Sequence, residues 1–242
     1  LNCRHLTELD LETVRGARSV PHRNDPFLEI LQERGDRHEA AFVEHLEVQG
    51  LSPVVIPGRG IDEAAVTATL EAMRSGAEVI TQAALTKGAW RGRIDVLRRV
   101  EVPSDLGAWS YEPIDTKLAR ETKGGTIIQL CLYAELVEAA QGLMPEHIHV
   151  VAPWTDYEAQ SFRVADFAAY FRRVRALAEG ALEEGGPPHY PEPVPHCDVC
   201  RWSNECELRR RKDDHLSLIA GASASQRTEL ESQGFSTVAA FA

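Results

Sequence analysis

Cys197, Cys200 and Cys206 form a C-x2-C-x5-C triplet, and a fourth cysteine, Cys3, stands nearly two hundred residues ahead of it. A disulfide framework is not expected in a chain of this size without an export signal. Three close thiolates and one remote thiolate make instead a four-sulfur ligand set, which zinc and a 4Fe–4S cluster both accept. Such a site ties the start of the chain to its last third and stabilises the fold by constraining the unfolded state. His196, directly before the triplet, is an alternative fourth ligand. The fifth cysteine, Cys131, lies in an apolar run and reads as a buried thiol.

The chain has 242 residues, enough for one substantial core, and its 43% hydrophobic and 26% charged content is that of a soluble globular protein. A net charge of −11 excludes nucleic-acid binding through bulk positive charge, but not a metal site where acids gather. The basic clusters (Arg91, Arg93, Arg98 and Arg99; Arg172, Arg173 and Arg175; Arg209 to Lys212) read singly as solvated faces. The apolar run Ile127 to Val137 is too short to cross a bilayer, and no basic-then-apolar segment opens the chain. A cytoplasmic protein with no membrane partner is expected. The sequence begins at Leu1 and ends inside an apolar pattern, so it reads as a piece of a longer polypeptide.

A helix is predicted from Pro26 to Val48, with proline suited to its start and Gly50 to its end. A short extended stretch, Pro53 to Ile56, precedes a helix starting near Asp62. Glu78 to Leu85, Trp90 to Val100 and Trp109 to Leu118 read as an antiparallel meander. An apolar helix follows from Thr126 to Gln141, then a strand from His147 to Ala152. Asp156 to Val164 reads as a hairpin arm. Ala165 to Glu184 is expected as an amphipathic helix with Phe167, Tyr170, Phe171, Val174 and Leu177 on one face. Gly185 to His196 is a proline-rich connector. This order predicts an α/β fold, a mixed central sheet flanked by helices. The expected domains are 1–212, closed by the four cysteines, and a tail, 213–242, of two short helices around Leu218, Leu230, Phe235 and Val238.

The residues with chemistry to offer are Asp95, Asp115 and Lys117. Residues two apart on a strand share a face, so Asp115 and Lys117 point into one cleft. Asp95, on the preceding strand, then supplies a second carboxylate, a donor pair suited to magnesium or manganese. Lys117 would position or deprotonate an attacking water. His38 is a third candidate ligand, with His45 its rival two turns on. Gln129 and Tyr133, four apart on the apolar helix, share a face. They point into the cleft or form part of the core rim. Each motif alone is weak, since Asp-x-Lys is also a common surface ion pair.

Together, Gly35…His38, Gly92-x-x-Asp95, Asp115-Thr116-Lys117, Gln129-x3-Tyr133 and the cysteine set resemble the RecB-like branch of the PD-(D/E)XK nucleases. The similarity is greatest to its iron–sulfur members, which include CRISPR-adaptation nucleases and repair helicase–nucleases. The opening run Leu1 to Thr7 also resembles the cluster-anchoring start of a bacterial group of RecB-like nucleases. The resemblance implies a restriction-endonuclease-like core and a metal-dependent exonuclease, or a single-strand- or end-directed nuclease, acting on DNA. It implies that His38, Asp95, Asp115 and the Thr116 carbonyl bind manganese or magnesium and that Lys117 is catalytic. Gln129 and Tyr133 would face DNA, while Cys3, Cys197, Cys200 and Cys206 would hold a structural 4Fe–4S cluster. One departure is the spacing of Gly35 and His38, three where four is common. Leu218 to Phe241 resembles a helix-hairpin-helix element or is a plain helical cap, and a fused helicase or further nuclease region is expected. Two other functions compete. One is a non-catalytic nucleic-acid-binding module on the same fold; the other is a zinc-stapled interaction domain in which Asp-x-Lys is chance.

Overall fold

The computed structural model describes residues 3–23, 25–182 and 189–242. Among them run, in chain order, α1 (Arg4–Val14), α2 (Pro26–Val48), β1 (Pro53–Val55), α3 (Glu63–Arg74), β2 (Val79–Lys87), β3 (Trp90–Val100) and β4 (Ser110–Thr116). There follow α4 (Gly124–Gln141), β5 (His147–Val151), β6 (Ala159–Arg163), α5 (Val164–Leu182), α6 (Ser203–Lys212), α7 (Ala224–Ser232) and α8 (Val238–Phe241). The chain divides into two compact units, Glu29–Arg173 and Leu1–Leu28 with Val174–Ala242.

In the unit Glu29–Arg173 six strands form one sheet in the order β1-β2-β3-β4-β5-β6. The expected meander is present: β2, β3 and β4 pair antiparallel. β1 pairs parallel to β2, and β4 parallel to β5 with α4 as the crossover, so the sheet is mixed. α4 starts two residues before the predicted Thr126 and ends on Gly142, whose φ of +71° supplies the left-handed turn.

Two cores sandwich the sheet. On one side His38, Phe42 and Leu46, four residues apart on α2, make a single face. Phe42 and Leu46 pack on Val79, Val96, Ile114 and Val151. On the other side α3 and α4 contribute Met73, Leu130, Ala134 and Val137 against Ile80, Leu85, Ile94 and Leu97. The alternation breaks midway along β3. Ile94 and Leu97, three apart, serve one core while Val96 serves the other. Opposite this break Gln82 of β2 has φ +54°, and the pair Gln82–Asp95 is missing from an otherwise continuous ladder. The irregularity falls on the strand pair that carries Asp95.

The predicted apolar stripe of α5 is narrower than its periodicity implied. Val164 and Phe171 are buried and Phe167 packs against the core, but Tyr170 and Leu177 are largely exposed. The predicted end of that helix at Glu184 and the start of the connector lie outside the described residues.

The unit holding both chain ends contains α1, which periodicity did not reveal, and α6 to α8. Its core is Leu9, Cys200 and Trp202. In the tail the fully buried side chain is Leu216, while Leu218, expected inside, is 38% exposed. No helix among the described residues is long and apolar enough to cross a membrane.

Candidate active site and cysteine pocket

Asp95 and Asp115 meet where β3 and β4 part. The β3–β4 ladder stops at Val96 opposite Ile114, one step before the two aspartates would face each other. The Asp95 side chain takes over the ladder's role, its Oδ2 accepting from the Thr116 N–H at 2.8 Å and the Thr116 hydroxyl at 3.0 Å. Asp115 is 1% exposed, and apart from the Lys117 ammonium neither of its carboxylate oxygens has a hydrogen-bond donor among the described residues. That ammonium lies 2.6 Å from Oδ2. Lys117 lies just beyond β4, its backbone N–H held by the Val151 carbonyl at 2.9 Å. Burial pushes the Asp115 carboxyl up, the charge of Asp95 adds to this, and Lys117 offsets part, leaving it at about 6.

Tyr133 comes from α4 to the same place. Its hydroxyl accepts from the Gln129 amide at 2.6 Å. Burial, with the charges of Asp115 and Asp95, holds the phenol up at about 12, so it is a neutral donor at any physiological pH. Gly92 makes room for it: a Cβ there would lie 2.7 Å from Tyr133 Cε1 and 2.8 Å from Leu136 Cδ1. The glycine three residues before Asp95 is thus required by a close approach of α4 to β3, at an ordinary strand conformation.

The structure brings together Asp95, Asp115, Thr116, Lys117, Gln129 and Tyr133. His38 is placed differently. It is buried, with Nε2 3.1 Å from the Val151 carbonyl and its ring stacked at 6.1 Å on Tyr157, and it makes no hydrogen bond to either aspartate. His45 also packs on Tyr157, at 4.7 Å, and bonds Gln49.

The α2 residue whose charge bears on both aspartates is Glu39, which motif spacing had not singled out. Its carboxyl is raised by burial and then by the charge of Asp95, and it in turn raises Asp115. Gln82 donates to Glu39, and Arg93 Nε donates to Gln82 at 2.8 Å. The remaining Arg93 donors hold the carbonyls of Ile56, Gly58 and Gly60. The available signal was adjacency: Glu39 follows His38 directly on the sheet-facing side of a helix.

Most of the basic clusters are spent internally. Arg99 bonds the Gly76 carbonyl and lies over Trp109. Arg209 and Arg211 pair with Asp213 and Glu207, and Arg210 is buried on the Pro191 carbonyl.

In the other unit one enclosed pocket is lined by Cys3, Cys197, Cys200 and Cys206, together with His196, Trp202 and Arg210. None of the cysteines is in a disulfide. Burial pushes the Cys206 thiol up to about 11; Arg210 opposes this, while the thiols of Cys200, Cys197 and Cys3 add to it. Arg23 holds the loop between ligands, donating to the carbonyls of Cys200 at 2.6 Å and Asp198 at 2.8 Å. Cys131 is elsewhere, buried in α4 with its thiol raised to about 11 by burial and then by Glu135.

Among the described residues no group of three or more His, Cys, Asp or Glu side chains stands preassembled at metal-holding geometry. The donor chemistry nonetheless fits at both places: a buried carboxylate, with Lys117 its one donor among the described residues, beside two further carboxylates, and four thiols around one pocket. No protein-family model matches the chain, and no curated protein matches it in sequence.

Proposed function

We propose that the unit Glu29–Arg173 is a metal-dependent nuclease that hydrolyses DNA phosphodiesters, acting on ends or single strands. The observation that carries this reading is Asp115. A carboxylate that is buried beside two other acids, and offset only in part by the one ammonium of Lys117, destabilises the fold by itself. It becomes favourable when a divalent cation shares the space. Asp115, Asp95, Glu39 and the Thr116 carbonyl would be the oxygen donors for magnesium or manganese, with His38 the donor implied by the RecB-like resemblance. When bound, the cation supplies Lewis acidity and an acidified water.

The chain's own residues do the rest. Lys117 Nζ, fixed by Asp115, holds the attacking water oxygen and neutralises charge developing on the phosphate. Tyr133 accepts a hydrogen bond from the Gln129 amide, so its own O–H is free to donate to a phosphate oxygen. The choice of DNA rests on the resemblance, as do a helicase or further nuclease partner and 4Fe–4S over zinc in the cysteine pocket.

The tail favours a helical cap over a phosphate grip. Residues 213–242 carry four carboxylates and one arginine, and that arginine, Arg227, is buried on Glu192 and the Ala222 carbonyl.

The test is full-length protein, prepared anaerobically, on end-labelled single- and double-stranded DNA. Cleavage with manganese, stopped by chelator and lost in Lys117→Ala and Asp115→Ala with the fold intact, supports the reading. Undiminished cleavage in either variant overturns it. Brown protein with iron and sulfide assigns the cysteine pocket to a cluster; colourless protein with stoichiometric zinc assigns it to zinc.

A further inference from the structure

We infer that Trp154 is a stacking platform for an unpaired nucleobase at the rim of the site, so that the strand cut beside Lys117 is single-stranded. This rests on the nuclease reading of the same site.

β4 and β5 are parallel, so their C-terminal ends open on one edge of the sheet. Lys117 leaves that edge from β4, and the loop 152–158 leaves it from β5. The Val151 carbonyl, which receives the Lys117 N–H, immediately precedes this loop. Trp154 sits at its turn, 46% exposed, with no ring contact among the described residues.

The loop that carries it is fixed. The Thr155 hydroxyl donates to the Ala152 carbonyl at 2.9 Å and closes the turn. Asp156 and Tyr157, neither of them glycine, are held in succession at φ +47° and +65°. Such conformations persist where the surroundings over-determine them. Here Tyr157 anchors the loop by packing its ring against His38, Phe42 and His45. A large apolar ring presented to water from a loop already immobilised loses little freedom on binding.

The neighbouring loop supplies charge. Arg120 and Lys123 flank Glu121 and Thr122, are exposed, and pair with no carboxylate among the described residues, whereas Arg209 and Arg211 are each held by one. Thr122 between them bonds Gln160 at the base of the Trp154 loop, 2.8 Å. An aromatic face with two unpaired cations in the adjoining loop is the combination that binds single strands without reading sequence. A duplex, whose bases are stacked on each other, offers Trp154 nothing to stack on.

The test measures binding with calcium in place of manganese, using oligothymidylate, the same oligomer with abasic tetrahydrofuran units, and a duplex. Trp154→Ala is expected to weaken oligothymidylate binding roughly ten- to hundredfold. It should leave the abasic strand and the duplex unchanged, and Trp154→Phe should recover most of the loss. Equal losses on the thymidine and abasic strands, or no loss on either, overturn the proposal. A strand that shows the Trp154-specific loss but is not cut in manganese supports the stacking site and removes the nuclease reading. Lys117-dependent cutting without any Trp154-specific loss does the reverse.

Discussion

A single oxygen, Oδ2 of Asp95, accepts both the backbone N–H and the hydroxyl of Thr116, at 2.8 and 3.0 Å. The middle residue of Asp-Thr-Lys thereby orients the carboxylate of the neighbouring strand at the point where the ladder ends. Thr116→Val removes one of these two donors and keeps the strand geometry and the backbone carbonyl. Manganese affinity is expected to fall about tenfold, the lower end of the range for removing a partner that orients a ligand. Isothermal titration of the folded variant checks this; unchanged affinity would mean that the backbone bond alone positions Asp95.

Asp115→Asn separates stability from metal binding. The Asp115 carboxyl is raised above its unfolded value of 3.8 to about 6, so the folded state holds the proton more tightly than the unfolded chain. Its contribution is therefore present below about pH 4 and is lost as the pH rises through about 6. Metal-free Asp115→Asn should melt a few degrees above the parent at pH 7 and show a flatter dependence of melting temperature on pH between 4 and 6. Manganese should raise the melting point of the parent and leave that of the variant unchanged. A variant that melts lower than the parent at pH 7 without metal contradicts the strained-carboxylate reading.

Gly92→Ala places a methyl against Tyr133 and Leu136 at distances that no real Cβ contact adopts. Overpacking of this kind costs about 1–3 kcal/mol. Denaturant melts should show the loss, and Gly92→Ala combined with Tyr133→Leu should recover part of it. Additive losses in the double variant would place the strain elsewhere.

The sequence made most of this sheet legible because its strands and helices are long and strongly periodic. The predicted boundaries at Pro26, Val48, Trp90 and Val100 coincide with those of α2 and β3. Lys117 was expected on a strand, but the ladder that would continue β4 has already given way to the Asp95 side chain, and the lysine lies one step outside. α1 escaped notice because polar residues alternate with its few leucines and only Leu9 is buried. Glu39 was invisible for a different reason. Its place in the site depends on Gln82 leaving the regular strand conformation and on Arg93 holding Gln82, a three-residue relay that no spacing encodes.

That relay makes Glu39→Gln the sharpest discriminator at the site. The charge of Asp95 adds to burial in raising both Glu39 and Asp115, and Glu39 raises Asp115 further, so these two carboxylates are strained until a cation neutralises the group. Replacing Glu39 by its neutral isostere relieves the metal-free protein, and its melting point is expected to rise slightly. It also removes one oxygen charge from the donor set, so manganese affinity should fall by an order of magnitude or more, a loss about as large as removing a direct partner of a ligand. His38→Ala provides the contrast. The histidine bonds Val151 and stacks on Tyr157, so its removal should lower stability through lost packing while weakening manganese less than Glu39→Gln does. The opposite order, a larger affinity loss from His38→Ala, would return the helix ligand to the histidine that the RecB-like resemblance implies and leave Glu39 as a tuning charge. Titrating both variants with manganese, alongside their metal-free melts, decides between the two.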